Sequence, residues 1–271
     1  MPDPKAAPFL RWAGGKRQLT SALLERVPDQ FTGHYVEPFL GAGSLFFALG
    51  PGKSILSDAN PRLIDVYRQI AMNPNAVRRE LRVHVRSHSF DHYYKTRDEY
   101  NRGALSAAQA GRFIYLNKAC FNGIFRVNRS GKFNVPKGSK EKLSSPTKQE
   151  FDLISSKLRE AKLLAEDFET VLSRVCKDDF IYLDPPYPAL NGTAYFTHYT
   201  ADRFDGGSQE RLAECVLKIN NSGTRFLMSN ADTTAIRDLY KGFQIEAIPV
   251  TRFISCKGTR AAASELLIRN Y

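Results

Sequence analysis

The sequence predicts an open α/β sheet interrupted by a mainly helical insertion that carries a β-hairpin. Three observations lead there. Short apolar strands alternate with helical segments in residues 1–60 and again beyond residue 145. The stretch between them, residues 61–145, turns helical and basic, with 17 Lys/Arg against 6 Asp/Glu. Two of the apolar strands run straight into a Gly- or Pro-rich turn beside a carboxylate, the place where an open sheet gathers ligands.

Taken in order, residues 20–26 fit a helix with Thr20 as its cap. Residues 35–39 read as a strand end, and Gly41-Ala42-Gly43 as a tight turn opening a helix that runs to Leu49. Residues 54–57 form a second strand, ending at Asp58. Within the basic stretch, Leu63, Ile64, Val66, Tyr67 and Ile70 keep helical spacing, and Pro74 restarts a helix to about Val85. Residues 106–121 predict another helix, with Phe113, Leu116 and Cys120 on one side. Residues 125–128 and 132–135 flank Arg129-Ser130-Gly131, a hairpin signal with basic residues at its tip. Alternation then returns: helix 150–162, strand 163–165, helix 168–174, strand 180–183, helix 208–220, strand 225–228, helix 233–240, and strands 245–251 and 265–269. The expected division is therefore one domain from residues 1–60 and 146–271, with 61–145 inserted.

Composition bounds the function. The 271 residues are 42% hydrophobic and 25% charged, enough for a core, and the net charge is +11. All of that excess lies in residues 61–145, because the remainder holds 22 basic and 22 acidic residues. An excess so confined points to a polyanion partner. A membrane surface fits less well, since the segment has no long amphipathic basic helix. No apolar run approaches the roughly 20 residues that span a bilayer, and residues 1–8 lack a secretory start. Cys120, Cys176, Cys215 and Cys256 are widely spaced, with no Cys/His cluster, so neither a disulfide framework nor a metal site is expected. A cytoplasmic protein, monomeric in solution, is the expectation.

Three motifs carry chemistry. Glu37-Pro38-Phe39-Leu40-Gly41-Ala42-Gly43 lets the backbone turn sharply after a strand and approach a ligand at a helix N-terminus. Asp58 ends the next strand, where a carboxylate accepts hydrogen bonds from ribose hydroxyls. Gly14-Gly15-Lys16-Arg17 is not a nucleotide phosphate loop, because Leu10 and Arg17 stand where that loop needs Gly and Ser/Thr. Its Lys16 and Trp12, the only tryptophan in the sequence, fit a functional loop or simple core packing equally well.

The third motif, Asp184-Pro185-Pro186-Tyr187, follows the apolar run Phe180-Ile181-Tyr182-Leu183. An aniline-like amino group is a poor nucleophile, its lone pair being delocalised into the ring. Asp184 and the Pro185 carbonyl can accept its two N–H bonds and draw that lone pair out of the ring plane. Tyr187 offers a face on which an extruded base stacks, worth roughly 1–3 kcal/mol.

Together these residues closely resemble the Dam-type family of DNA adenine methyltransferases. The resemblance runs through Arg11-Trp12-Ala13-Gly14-Gly15-Lys16, the Glu37 motif, Asp58 and Phe121-Asn122-Gly123-Ile124-Phe125-Arg126. It continues through Gly131-Lys132-Phe133-Asn134-Val135-Pro136, the Asp184 motif and Phe196-Thr197-His198-Tyr199. The order, with the glycine motif ahead of the insertion and the Asp184 motif after it, is the α arrangement of amino-methyltransferases. The resemblance implies a Rossmann-like S-adenosylmethionine-dependent methyltransferase sheet with a DNA-recognition insertion.

It also implies roles. S-adenosylmethionine falls to Trp12, Lys16, Glu37, Phe39, Gly41, Gly43, Asp58, Asp167, Phe168 and Asp184. Catalysis at the target amine falls to Asp184, Pro185 and Tyr187. Duplex DNA falls to Phe121, Asn122, Ile124, Arg126, Asn128, Arg129, Lys132, Asn134 and Pro136. Arg126 matches a guanine-reading arginine, as suits a bidentate major-groove contact, while Phe121 and Ile124 match residues that press into the duplex beside a flipped base. GATC is the expected target.

Other readings fit less well. An RNA adenine methyltransferase shares the Asp184 chemistry, but the narrow major groove of an RNA helix excludes a hairpin reader. A carbon-5 cytosine enzyme needs a cysteine nucleophile, typically after proline, and no cysteine follows one here. An amino-cytosine enzyme usually has Ser in place of Asp184. A catalytically silent DNA-binding module leaves Asp184 and Tyr187 without a reason.

Overall fold

The computed structural model describes residues 6–12, 14–16, 18–187, 204–253 and 260–271. Seven strands form one sheet: β1 (Tyr35–Glu37), β2 (Ser54–Ser57), β3 (Ala161–Leu164), β4 (Phe180–Leu183), β5 (Arg225–Ala231), β6 (Gln244–Phe253) and β7 (Arg260–Arg269). Their spatial order is β3-β2-β1-β4-β5-β7-β6. The first five are parallel, whereas β7 slots antiparallel between β5 and β6. The order reverses between β1 and β4, so the crevice at their carboxyl ends is where a Rossmann-like sheet binds ligand.

Side-chain alternation sorts the core into two layers. Tyr35, Leu56, Phe180, Tyr182, Leu227 and Leu267 join one apolar cluster. Val36, Ile181, Leu183, Phe226, Met228, Leu266 and Ile268 join the other. β4 is buried on both faces, which is why its sequence reads as an unbroken apolar run.

The ten helices among the described residues are α1 (Thr20–Leu24), α2 (Ser44–Leu49), α3 (Pro61–Met72), α4 (Pro74–Arg86), α5 (Phe90–Arg102), α6 (Ala107–Ala119), α7 (Lys148–Arg159), α8 (Phe168–Leu172), α9 (Gly206–Asn221) and α10 (Thr234–Leu239). Most start on side-chain caps. The Asn60 side chain accepts from Arg62 and Leu63, with Pro61 pre-set for the first turn, and Thr147 and Glu150 form a capping box. The cap expected at Thr20 is not found: Leu19 precedes the helix, and the Thr20 hydroxyl donates to the Lys16 carbonyl at 2.8 Å.

The basic stretch lies between β2 and β3 and contains one helix beyond those expected, α5, which buries only Tyr93, Thr96 and Tyr100. Its apolar residues are continuous with the sheet's first cluster, and α3 packs against both α6 and α7. The expected hairpin is a chain reversal without regular strands. It holds single antiparallel bridges, Val127 to Phe133 and Cys120 to Lys137. Backbone bonds from Asn134 N to Arg126 O and from Asn128 N to Lys132 O pair its two arms, and on the outward side Asn101 bonds both N–H and C=O of Phe133 while the Tyr93 hydroxyl donates to the Val135 carbonyl. Among the described residues no helix is long and apolar enough to cross a membrane.

Candidate active site and nucleic-acid interface

Period two puts residues 35 and 37 of β1, 182 and 184 at the end of β4, 227 and 229 of β5, and 265 and 267 of β7 on one face of the sheet. Met228 is paired with Leu183 and Ala231 with Glu265, so Ser229 and Glu265 come up beside Asp184. The face carries Leu227 and Leu267 in its core and turns polar only at the strand ends.

Lys16 reaches this point from the loop before α1. Its ammonium lies 2.7 Å from Asp184 Oδ1 and 4.0 Å from Glu265 Oε2, donates to the Gly14 carbonyl, and sits 4.5 Å from the centre of the Tyr187 ring. Lys16 is only 5% exposed, a burial that a cation tolerates when paired. The Tyr187 hydroxyl donates to Glu265 at 2.8 Å, and the Ser229 hydroxyl donates to Asp184 Oδ1 at 2.9 Å. Pro185 is buried, and Gln209 donates to the Pro186 carbonyl. Burial raises the Asp184 carboxyl above its ordinary value, against the opposing pull of the Lys16 charge. Burial, with Asp184 beside it, raises the Tyr187 phenol.

The glycine turn forms the neighbouring wall. Gly41 has φ +48°, and a Cβ there would stand 2.8 Å from Trp12 Cδ1. Gly43, at φ +66°, starts α2 in the same left-handed region. The half-buried Asp58 carboxylate accepts from Gly41 N at 3.0 Å and Asn60 N at 2.9 Å. Burial pushes its pKa up to about 6 in spite of those two bonds. The Tyr67 hydroxyl of α3 donates to the Gly41 carbonyl, so the first helix of the basic stretch props the turn. Glu37, buried, accepts from the Tyr35 hydroxyl at 2.7 Å, and burial raises its carboxyl well above the usual range.

Further along the wall, Phe39 stacks on Phe168 at 5.3 Å. Asp167 is exposed, caps α8 and is paired with Arg211 at 3.0 Å. Its carboxylate is therefore directed to Arg211.

Trp12 links this wall to the basic stretch, stacking on Phe113 and Phe125 at 6.4 and 5.7 Å. A cavity of about 280 Å³ lies there, lined by Arg11, Trp12, Gly15 and Ala42 on one side and Asn122 and Ile124 on the other. Phe121 is 44% exposed, and Asn122 is held at φ +54°, which turns it out of the preceding helix. Phe121 N donates to the Pro136 carbonyl. Arg126 is exposed and donates through Nε to Asn134 at 2.9 Å. Asn128 closes the tip by accepting from Ser130 N and Lys132 N, leaving Arg129 and Lys132 exposed.

Several site residues escaped sequence reasoning. Ser229 and Glu265 are polar positions in otherwise apolar strand segments, Phe226-Leu227-Met228-Ser229 and Glu265-Leu266-Leu267-Ile268, a signal that the strand order alone makes readable. A second cleft, of about 520 Å³, is edged by Arg11, Lys118, Lys140 and Lys142. Burial and then the nearby Arg11 charge lower the Lys140 ammonium's pKa. Ala13, Arg17, Cys256 and the Phe196-Thr197-His198-Tyr199 block lie outside the described residues.

The family model for D12 class N6 adenine-specific DNA methyltransferases matches residues 12–254. The type II methyltransferase M1.LlaDCHI of Lactococcus lactis subsp. cremoris is 35% identical, covering 97% of this chain and 95% of its own length. M.MjaIII of Methanocaldococcus jannaschii, also a type II methyltransferase, is 36% identical over 97% and 99%. The DNA adenine methylase of Escherichia coli K12 is 34% identical over 96% and 93%. With the motifs, the sheet and the Asp184 site in place, the chain belongs to the D12 class of N6 adenine-specific DNA methyltransferases.

Proposed function

We propose that the enzyme transfers a methyl group from S-adenosylmethionine to N6 of an adenine flipped out of duplex DNA, with GATC the expected target. One observation carries this reading: at the sheet's switch point the Lys16 ammonium meets both the Asp184 carboxylate, at 2.7 Å, and the Tyr187 ring, at 4.5 Å from its centre. Asp184 and the Pro185 carbonyl accept the two N–H bonds of the amine, and Tyr187 stacks on the base. The amine so held would be presented to an incoming methyl group, its surplus proton leaving to solvent.

The residues present fit the methyl donor. Both Asp58 oxygens hold backbone N–H groups yet keep a lone pair each for ribose hydroxyls. The left-handed Gly41 leaves open the space beside Trp12 that a side chain would otherwise take. Trp12, Lys16, Glu37, Phe39, Gly43 and Phe168 complete the proposed pocket, with Asp167 exchanging its Arg211 partner for the ligand. When bound, S-adenosylmethionine supplies an electrophilic methyl on a positively charged sulfur.

Residues 61–145 form the proposed recognition insertion and residues 1–60 and 146–271 the catalytic domain. Asn122 and Ile124 face the proposed flipped base across the shared cavity, the exposed Phe121 presses into the duplex beside them, and Arg126 reads guanine. Asn128, Arg129, Lys132, Asn134 and Pro136 track the backbone around it, with Arg11, Lys118 and Lys140 adding phosphate contacts. The proposed setting is the cytoplasm, with the enzyme acting as a monomer. Sequencing methylated DNA from cells expressing the protein tests the whole reading. It should reveal N6-methyladenine at one recurring site. Unmodified DNA alongside methylated adenine in RNA would overturn it.

A further inference from the structure

We propose that Ser229, backed by the phenol of Tyr182, is a positioning residue that ties down one oxygen of Asp184 and so presents the other to the target amine. The inference rests on Asp184 as the acceptor. Asp184 Oδ1 takes both the Lys16 ammonium at 2.7 Å and the Ser229 hydroxyl at 2.9 Å. Among the described residues, no hydrogen bond reaches Oδ2. The Asp184 side chain is 19% exposed, so that second oxygen has access to the crevice. Two donors on one oxygen fix the plane of the carboxyl group, leaving Oδ2 aimed by the protein rather than by the substrate.

Chemistry sets the direction of the chain behind it. An ionised carboxylate only accepts, so Ser229 donates to Asp184. Ser229 then accepts from the Tyr182 hydroxyl, 3.0 Å away. Ser229 is 0% and Tyr182 1% exposed, so water does not compete for these bonds, and each donor polarises the next. The arrangement also answers an electrostatic problem. Burial raises the Asp184 carboxyl, while Lys16 and Ser229 pull it back. The groups facing Asp184 are Lys16, Tyr182, Tyr187 and Glu265, with Glu37 and Tyr35 across β1. Of these only Lys16 is cationic, so a donor as close as Ser229 matters for keeping the acceptor ionised.

Removing the hydroxyl should therefore act through protonation. For Ser229→Ala, kcat on the acid limb should fall about tenfold, as for losing one hydrogen bond to a charged group. The acid limb of the kcat profile should move up by about one pH unit. KM for DNA and for the methyl donor should stay within about twofold. Tyr182→Phe should shift the same limb in the same direction by less.

A readout independent of turnover is the thermal unfolding midpoint against pH. The folded carboxyl, already raised, rises further in Ser229→Ala. The extra cost to stability is then present above the folded pKa and disappears below the unfolded one. The gap between wild type and Ser229→Ala should be wider at pH 8 than at pH 4. An unshifted acid limb, with both variants slowed equally at every pH and an unfolding gap independent of pH, would make Ser229 a packing residue and overturn the proposal. Should Ser229→Ala fail to fold, Tyr182→Phe, which removes only a hydroxyl, decides by the same criteria. Asp184→Ala separates the two levels: if it turns over normally, the acceptor reading fails. If it is inactive while Ser229→Ala and Tyr182→Phe keep the wild-type profile, only this inference fails.

Discussion

The sheet's carboxyl edge and the chain reversal at residues 121–136 are held in opposite ways. At the edge, Lys16, Asp184, Tyr187, Ser229 and Glu265 come from four separate parts of the chain and bond to one another. At the reversal, buried Phe125, Phe133 and Val135 anchor the backbone, while Arg126, Asn128, Arg129 and Lys132 stand exposed. Arg126 has its one described hydrogen bond to Asn134, on the same exposed surface. On the proposed function, the contrast is one chain dividing two tasks. Methyl transfer needs donors and acceptors fixed before the substrate arrives. Reading bases needs side chains that exchange water for groove edges, on a backbone that does not move.

The comparison can be broken by substitution. Asp184→Ala should cost at least about a thousandfold in turnover, beyond the loss of a single oxyanion-type contact, while DNA affinity stays within about threefold. Filter binding and single-turnover methylation check both halves. Gly41→Ala is the next largest: its strained φ and the clash with Trp12 should cost about 1–3 kcal/mol in stability. S-adenosylmethionine affinity should fall with it, as calorimetry would reveal. Full stability and affinity in that variant would detach the turn from the ligand.

Asp58 sharpens the comparison through pH. Its folded carboxyl sits at about 6, above the ordinary value, and in the proposed function the ionised form accepts ribose hydroxyls. Affinity for the methyl donor should thus be full above pH 6 and fall by up to about tenfold for each unit below it. Asp58→Asn should be weaker and lack that acid-side loss. The smallest effect belongs to the reversal's rim. Lys132→Ala should weaken cognate and non-cognate duplexes alike and flatten the salt slope by about one unit.

What could be read from sequence follows the same division. β4 and the Asp184 motif stand out because a doubly buried strand must be apolar to its last residue and then stop. The glycine turn is legible because left-handed backbone at Gly41 and Gly43 admits few residue types. Helix α5 escaped because its tyrosines, histidines and charges give no apolar stripe: the buried face is Tyr93, Thr96 and Tyr100. The reversal pairs its arms through backbone bonds such as Asn134 N to Arg126 O and Asn128 N to Lys132 O, too few for regular strands, while Asn101 and Tyr93 hold its outward side. Ser229 and Glu265 were invisible because their closeness to Asp184 depends on β5 lying beside β4 and on β7 entering antiparallel, neither of which local pattern encodes.

The most direct test sets Asp184→Ala against Arg126→Ala on duplexes altered one base at a time, measuring binding and single-turnover methylation for each. Arg126→Ala should lose about 1–3 kcal/mol of preference for the guanine beside the target adenine, with methylation persisting on other altered duplexes. Asp184→Ala should keep the full pattern of binding preference and methylate none of them. Should Arg126→Ala slow every duplex equally, or Asp184→Ala erase the binding preference, chemistry and reading would not be divided between these two regions.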